Sequence, residues 1–348
     1  MTTRQGDNVA AVIEHKGARL TMTTREIPKP DAHEIVVRNY AIAANPVDWK
    51  IQEWGYPITE YPNVLGSDGC GVVTEVGSNV TKFKVGDRVT GFAAVLYNQK
   101  PDHGAWQTYT VLREIATVKI PDSISFEDGA TIPMAFATSA IALYGNLELP
   151  RPGSSIQQQV RGLLVWGAAS SVGTAAINLA KFSGLKIFAT ASPTHHQYLK
   201  SLGAFAVFDY KDLDVISKIT AAAESAGTPI TLGIDTISEG NTSELSAQTL
   251  LASGGKGGKL VLTLPWPGKE PVPEGIETSM TIAGHTGTER EDIGEWLFNE
   301  YLPKALEDKA IVPAPKVEIV PGGIGAAQKV FDQLKAGVSG KKLVVKVD

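Results

Sequence analysis

The stretch that most constrains this chain is Gly162-Leu163-Leu164-Val165-Trp166-Gly167-Ala168-Ala169-Ser170-Ser171-Val172-Gly173-Thr174, running on to Ala180. Leu163 to Trp166 is a short apolar run, the pattern of a strand buried on both faces. Gly167 to Gly173 is built of small residues but for Val172, and a helical pattern opens at Thr174. Strand, tight small-residue turn and helix are the parts of a dinucleotide-binding βαβ start. Small side chains let backbone N–H groups approach a pyrophosphate, and the helix N-terminus adds partial positive charge. Ser170 and Ser171 stand where many such turns carry glycine, and their hydroxyls read as further donors to the pyrophosphate. Taken alone, the stretch also suits an ordinary strand–turn–helix that binds nothing.

The flanking pattern decides between these. Strands read at 186–191, 206–208, 230–236, 259–264 and 280–284, with helices at 194–202, 213–226 and 243–251. Strands separated by helices of this size predict a doubly wound parallel sheet, an α/β fold. Ahead of it lie a hairpin (9–14 and 20–27), a strand at 34–44 and short β segments punctuated by glycine, which predict a barrel-like β domain. Ser125 and Asp128 have the spacing of a capping box, and 134–147 is helical in period. A long amphipathic helix is expected over 289–306, a strand at 317–320, a helix at 325–336 and a last strand at 342–347. The nucleotide domain is therefore placed at 126–288, inserted between 1–125 and 289–348.

With 348 residues the chain is long enough for two domains. A net charge of −5 gives no basic footprint for nucleic acid or an anionic membrane. Residues 1–10 are polar, without an apolar signal core. The longest uncharged stretch, 129–147, carries Pro133, Gly145 and Asn146 and reads as a buried helix rather than a membrane span. Cys70 is the only cysteine, which excludes intramolecular disulfides and cysteine-rich zinc sites. It sits in a glycine-rich apolar strand and reads as an inert core thiol; a reducing, cytoplasmic location fits.

A site for NAD places Asp or Glu about 20 residues past the glycine turn, on the ribose 2′-OH. Counting from Gly173 reaches Ala191-Ser192-Pro193-Thr194-His195-His196, with no carboxylate. A 2′-phosphate is tolerated there, with Ser192, Thr194 and His195 as donors and Tyr210 in the loop after the next strand, so NADPH is the expected cofactor. The plainer alternative is an N-cap and a solvated first turn. His195 and His196 are adjacent and point apart on a helix, so they make no metal pair.

This order of parts resembles the medium-chain dehydrogenase/reductase superfamily. The resemblance is carried by Asn45-Pro46-Val47-Asp48, Gly66-Ser67-Asp68-Gly69-Cys70-Gly71-Val72-Val73, Val85-Gly86-Asp87-Arg88-Val89, Gly104-Ala105-Trp106, Lys119-Ile120-Pro121-Asp122, the Gly167–Gly173 turn and Gly340-Lys341-Lys342-Leu343-Val344-Val345. Within it the chain is similar to the zinc-independent, quinone-oxidoreductase-like branch, above all to fungal trans-acting enoyl reductases that partner polyketide synthases. Ser192-Pro193-Thr194-His195 and Phe208-Asp209-Tyr210 are similar to that subgroup. The resemblance implies a GroES-like β-rich catalytic domain, a Rossmann nucleotide domain, NADPH, and reduction of an activated C=C bond in an enoyl thioester of a polyketide. It also implies a polyketide synthase as partner. Zinc-dependent members carry Gly-His-Glu where this chain has Gly66-Ser67-Asp68, and a first Cys ligand near 45–48, where this chain has none; no metal is expected. Related NADPH reductases often have Lys at the His195 position, so a weaker or pH-sensitive phosphate grip is expected. Most relatives dimerise through the sheet edge and the trans-acting group is monomeric, which leaves monomer and homodimer open.

Hydride addition to the β-carbon would build enolate charge on the carbonyl oxygen. Without a metal, a hydrogen-bond donor must stabilise it and an acid must protonate the α-carbon. Lys50, Asn45 and Thr138 are the candidates, Lys50 first. By resemblance Val47, Asp48, Lys50, Ser170, Ser171, Val172, Gly173, Leu264, Val338 and Ser339 contact the cofactor. Met134, Thr138, Ser139, Ile141, Ile282 and Gly284 would line the acyl pocket. Against these stand plainer readings: Lys50 as a surface lysine, Asp48 as a turn residue, 134–143 as a core helix. Trp49, Trp54, Tyr56 and Trp106 either wall the cleft or fill the β-domain core, and the proline-rich loop 265–273 either covers the cleft or merely connects. The rival functions are a broad quinone or enone reductase and a cofactor-binding subunit without turnover.

Overall fold

The computed structural model describes residues 7–153, 161–267 and 270–348. One compact unit holds the described residues up to Ala137 together with Gly284–Asp348; the other holds those of Thr138–Ala283.

In the first unit β1 (Asn8–Ile13) pairs antiparallel with β2 (Thr21–Arg25), as the hairpin pattern predicts. β3 (Glu34–Ala43) leads through Asn45 into α1 (Pro46–Trp54), where Pro46 presets the first helical φ. β4 (Asn63–Val64) pairs with β1, and β5 (Asp68–Val76), β6 (Arg88–Phe92), β7 (Tyr109–Arg113) and β8 (Thr117–Lys119) build the main sheet. Ile13, Ile35, Ile42, Trp106, Leu112 and Phe331 fill its core.

In the second unit β9 (Gly162–Trp166), β10 (Lys186–Thr190), β11 (Ala206–Phe208), β12 (Ile230–Asp235), β13 (Gly258–Leu262) and β14 (Ile276–Met280) lie in the order β11-β10-β9-β12-β13-β14, all parallel. That is the doubly wound dinucleotide-binding order, whose direction of winding reverses between β9 and β12. Leu164, Trp166, Phe188, Ile219, Leu250 and Leu260 form its core. The last strand lies earlier than the apolar run 280–284 suggests. As the edge strand it has a neighbour on one side only, and Ile276-Glu277-Thr278-Ser279-Met280 tolerates polar residues. In the loop after β13, Trp266 Nε1 donates to Glu270 O at 2.9 Å; Gly268 and Lys269 of that loop lie outside the described residues.

Back in the first unit, β15 (Lys316–Ile319) pairs with β16 (Lys341–Lys346), and β16 runs antiparallel to β3. The long helix expected at 289–306 is present in three parts: helical over Glu291–Glu295, a π turn over Trp296–Tyr301, and helical again over Leu302–Glu307. Pro303 explains the π turn. It has no N–H, and its ring crowds the carbonyl four residues back, at Asn299 within the turn. The division between units falls at 138 and 283, inside the expected 126 and 288. Thr90 Oγ1 donates to Gly129 O at 2.9 Å and Met134 N–H to Asp68 Oδ1 at 2.7 Å, so 126–137 is tied into the β-rich unit. Among the described residues no helix is long and apolar enough to cross a membrane.

Candidate active site

In the second unit the nucleotide candidates follow the carboxyl ends of parallel strands: the Ser170–Gly173 turn after β9, Ser192, Thr194 and His195 after β10, Tyr210 after β11, Leu264 after β13. This is where ligands bind open α/β sheets. A Cβ on Gly173 would stand 2.5 Å from Ala168 Cα, so only glycine lets the helix Ser171–Ala180 start so close to the strand. Ser170 is its N-cap. Its Oγ accepts the Gly173 N–H at 2.9 Å, and its carbonyl accepts the Thr174 N–H at 2.9 Å. The amides of Ser171 and Val172, the first two of the helix, have no intrahelical acceptor. Two such donors at the positive end of a helix fit a pyrophosphate. The Ser170 hydroxyl, expected as a donor to that anion, accepts at the cap and lies within hydrogen-bond distance of Thr236. Ser171 keeps a partly exposed place at the helix start.

Thr236 was missed in the sequence. It follows β12 at the point where the winding reverses, and its hydroxyl lies 2.8 Å from Ser170 Oγ, 2.8 Å from Trp166 O and 2.9 Å from Gly167 O. A relay results: Gly173 N–H to Ser170 hydroxyl to Thr236 hydroxyl to the carbonyls of Trp166 and Gly167. The available signal was its place at a strand's carboxyl end. Thr236→Val removes the last link. Its KM for the nicotinamide cofactor is expected to rise about five- to tenfold, the value of one or two hydrogen bonds, with kcat kept; steady-state kinetics checks it.

Ser192 and Tyr210 stand on neighbouring loops, because Thr190 and Phe208 pair in register and Ala191 N–H donates to Phe208 O at 2.9 Å. Ser192 and His195 are half-buried, and Thr194 and Tyr210 are exposed. His196 turns inward, 2.9 Å from Ala191 O. Lys211, with its ammonium 5.7 Å from the Tyr210 ring centroid, adds a cation that the sequence reading overlooked.

Of the expected acyl-pocket residues in this unit, Thr138 accepts through its carbonyl from Thr281 Oγ1 at 2.7 Å, beside the exposed Ile282. Ser139 and Ile141 do not line an accessible surface. Ser139 is fully buried with Oγ donating to Val172 O at 2.9 Å, and Ile141 is core, because the segment 135–143 is buried on every face. In the first unit Met134 is half-buried, Gly284 is buried against Tyr97, and Val338 and Ser339 lie exposed before β16.

The first unit also holds the catalytic candidates, on α1. Lys50 is only 7% exposed, its ammonium 5.6 Å and 5.7 Å from the ring centroids of Trp49 and Trp54, so it is not an ordinary surface lysine. Val47 is half-buried beside it in sequence. Trp106 is β-domain core against Phe331, while Tyr56 is exposed. Burial pushes the Cys70 thiol well above its ordinary range, in keeping with an inert core residue.

Asn45 does not present its carboxamide as a substrate donor. Its Nδ2 donates to Asp68 Oδ2 at 2.8 Å and its Oδ1 accepts from Lys342 Nζ at 2.6 Å, all three residues being buried. Asp48 is equally far from a solvated turn residue. Its Oδ2 accepts the Asn45 N–H at 3.0 Å and the Trp106 Nε1–H at 3.4 Å. Burial pushes its pKa up to about 7, against the lowering pull of the Asn45 hydrogen bond. A folded value above the unfolded one means that the protonated carboxyl stabilises the native state fully in acid and that this contribution is lost as pH rises through about 7. Asp48→Asn is therefore expected to flatten the fall in Tm between about pH 4 and pH 7, measured by thermal melts. An equally steep fall in the variant would remove Asp48 as its source.

Among the described residues no three His, Cys, Asp or Glu side chains are grouped to hold a metal ion.

Residues 31–122 match the alcohol dehydrogenase GroES-like domain. The chain is 36% identical to the trans-enoyl reductase tndF of Aspergillus flavipes over 345 residues, covering 97% of this chain and 99% of the relative. It is 35% identical to the trans-enoyl reductase himH of Aspergillus japonicus, covering 90% of each. Among solved structures it resembles a quinone oxidoreductase of Pseudomonas syringae, at 25% identity and a TM-score of 0.76, covering 98% of this chain and 99% of the other. The β-rich domain, the parallel sheet and these full-length relatives agree: the chain is an oxidoreductase of the medium-chain dehydrogenase/reductase superfamily and belongs to its trans-enoyl reductase family.

Proposed function

We propose that the protein reduces an activated C=C bond with NADPH and without a metal, its substrate being an enoyl thioester carried by a polyketide synthase on which it acts in trans. One observation carries the cofactor and with it the reaction. The helix start at Ser171 offers anion-binding amides, and the loop after β10, at Ser192, has no carboxylate to oppose a 2′-phosphate. The names of the Aspergillus relatives support the enoyl substrate.

NADPH, when bound, supplies the hydride for the β-carbon. Charge then gathers on the thioester oxygen, and the Lys50 ammonium is the donor that holds it. With Lys50 only 7% exposed, less water competes for that charge than at the surface, which strengthens the interaction. Thr138 is the second candidate donor. Asn45 and Asp48 shape the first turn of the helix that carries Lys50. The Asn45–Asp68 cluster contains no His or Cys, which supports the metal-free route.

The quinone oxidoreductase likeness favours a second reading, a broad quinone or enone reductase. Following NADPH loss with enoyl pantetheine thioesters and with quinones separates them. The expected result is a kcat/KM at least about tenfold higher for the thioester, a difference of roughly 1.4 kcal/mol in transition-state binding. The reverse order supports the second reading. Tight NADPH binding with no oxidation on either panel supports a non-catalytic subunit.

A further inference from the structure

Lys342 is a cation that neither the sequence reading nor the mechanism uses. β16 runs antiparallel to β3 with Val344 opposite Ala43, and Ala44 N–H donates to Leu343 O at 3.0 Å. The same register carries Lys342 to the level of Asn45, just before α1. Lys341 points out to Glu318, whereas Lys342 points in. Its ammonium lies 2.6 Å from Asn45 Oδ1 and 2.9 Å from Asp68 Oδ2, with the lysine side chain 2% and the aspartate 0% exposed. Asn45 Nδ2 closes the triangle on Asp68 Oδ2 at 2.8 Å, and the other Asp68 oxygen accepts the Met134 N–H at 2.7 Å.

A buried ion pair seldom adds stability beyond what an apolar pair of the same volume provides, and it is costly when one partner is lost. What it does supply is a single geometry. Here that geometry fixes the Asn45 carboxamide. The Asn45 main chain in turn accepts the Asp48 N–H at 2.9 Å and donates to Asp48 Oδ2 at 3.0 Å, which sets the first turn of α1. Lys50 follows within the same helix.

We propose that Lys342 is a positioning residue: its buried ammonium, held between Asn45 and Asp68, sets the amino-terminal turn of α1 and through it the placement of Lys50. This rests on the reading of Lys50 as the donor.

The test is a double-mutant cycle on the full-length protein, with an enoyl pantetheine thioester as substrate and saturating NADPH. Lys342→Met leaves Asp68 charged and unpaired and is expected to lower Tm. Lys342→Met/Asp68→Asn removes both charges and is expected to fold with a Tm near that of the unmodified protein. Two facing amides can pair in more than one rotamer, so the turn loses its single setting. In this neutral variant kcat is expected to fall about tenfold, as for a displaced catalytic group, with NADPH affinity by fluorescence titration unchanged. Introduced into Lys50→Ala, the same pair of changes is expected to lower kcat no further. An equal loss in both backgrounds, or no loss with Lys50 present, overturns the proposal. If Lys50→Ala alone leaves kcat unchanged, the donor reading itself fails and the proposal falls with it. A drop for Lys50→Ala with none for the neutral pair counts against Lys342 alone.

Discussion

Replacing Lys50 by alanine lowers kcat on the enoyl thioester by about 10²- to 10³-fold, the size seen when one preorganised donor to a developing oxyanion is removed. The dissociation constant for NADPH is expected to stay within about threefold, since the anion-binding amides of Ser171 and Val172 are untouched. A lysine 7% exposed, its ammonium 5.6 Å and 5.7 Å from two tryptophan ring centroids, carries a charge that bulk water screens less than at the surface. Such a charge acts strongly on a partner that appears only in the transition state. Single-turnover rates and a fluorescence titration separate the two quantities. A kcat within twofold of the unmodified protein would remove Lys50 from the chemistry, leaving Thr138 as the remaining candidate.

The second large effect is expected in cofactor choice. Ser192→Asp puts a carboxylate where the loop after β10 has none, beside Thr194, His195 and the Tyr210–Lys211 loop. A carboxylate there accepts the ribose 2′-OH of NADH and repels the 2′-phosphate of NADPH. Like charges at that distance cost several kcal/mol, so the ratio of kcat/KM for NADPH over NADH is expected to fall by about 100-fold or more. The fold is not at stake. Ser192 stands at the N-cap of the 3₁₀ turn Pro193–His195, a position where aspartate is as good as serine. An unchanged ratio would mean that the loop after β10 does not read the 2′ position.

Most of the architecture was legible because it is written in local patterns. The buried run 163–166, the small-residue turn and the alternation of strands with helices fixed the parallel sheet; β11 fell at the residues read for it. The capping spacing of Ser125 and Asp128 is present, with Ser125 Oγ accepting the Asp128 N–H at 3.1 Å. Edges were less legible. β14 is an edge strand with a polar sequence, and the apolar run after it drew the strand assignment forward. The π turn in the 291–307 helix follows from Pro303 but not from hydrophobic period, which passes through it unchanged.

Within the site, residue choice was legible and residue role was not. Ser170 was read as a phosphate donor because serine in such a turn suggests one; its bond to Gly173 and its link to Thr236, 66 residues on, show a cap. Asn45 is one of the three candidate donors to substrate on sequence. The groups that engage its side chain, Asp68 and Lys342, lie 23 and 297 residues away, and only the pairing of β16 with β3 brings the latter to it. Ser139 and Ile141 come into the pocket by the family resemblance, whereas the segment 135–143 is buried on every face and keeps them in the core. Roles set by contacts far along the chain carry no local signature.

The central claim is a hydride delivered to the β-carbon of an enoyl thioester with Lys50 holding the carbonyl-oxygen charge. Incubating the protein with NADPH carrying deuterium at both C4 positions and an enoyl pantetheine thioester, then locating the label by NMR, tests it. One deuterium at the β-carbon of the saturated product is expected, with a solvent-derived hydrogen at the α-carbon and loss of that product in Lys50→Ala. NADPH consumed with no label at the β-carbon, or labelled product formed as fast without the Lys50 ammonium, would contradict it.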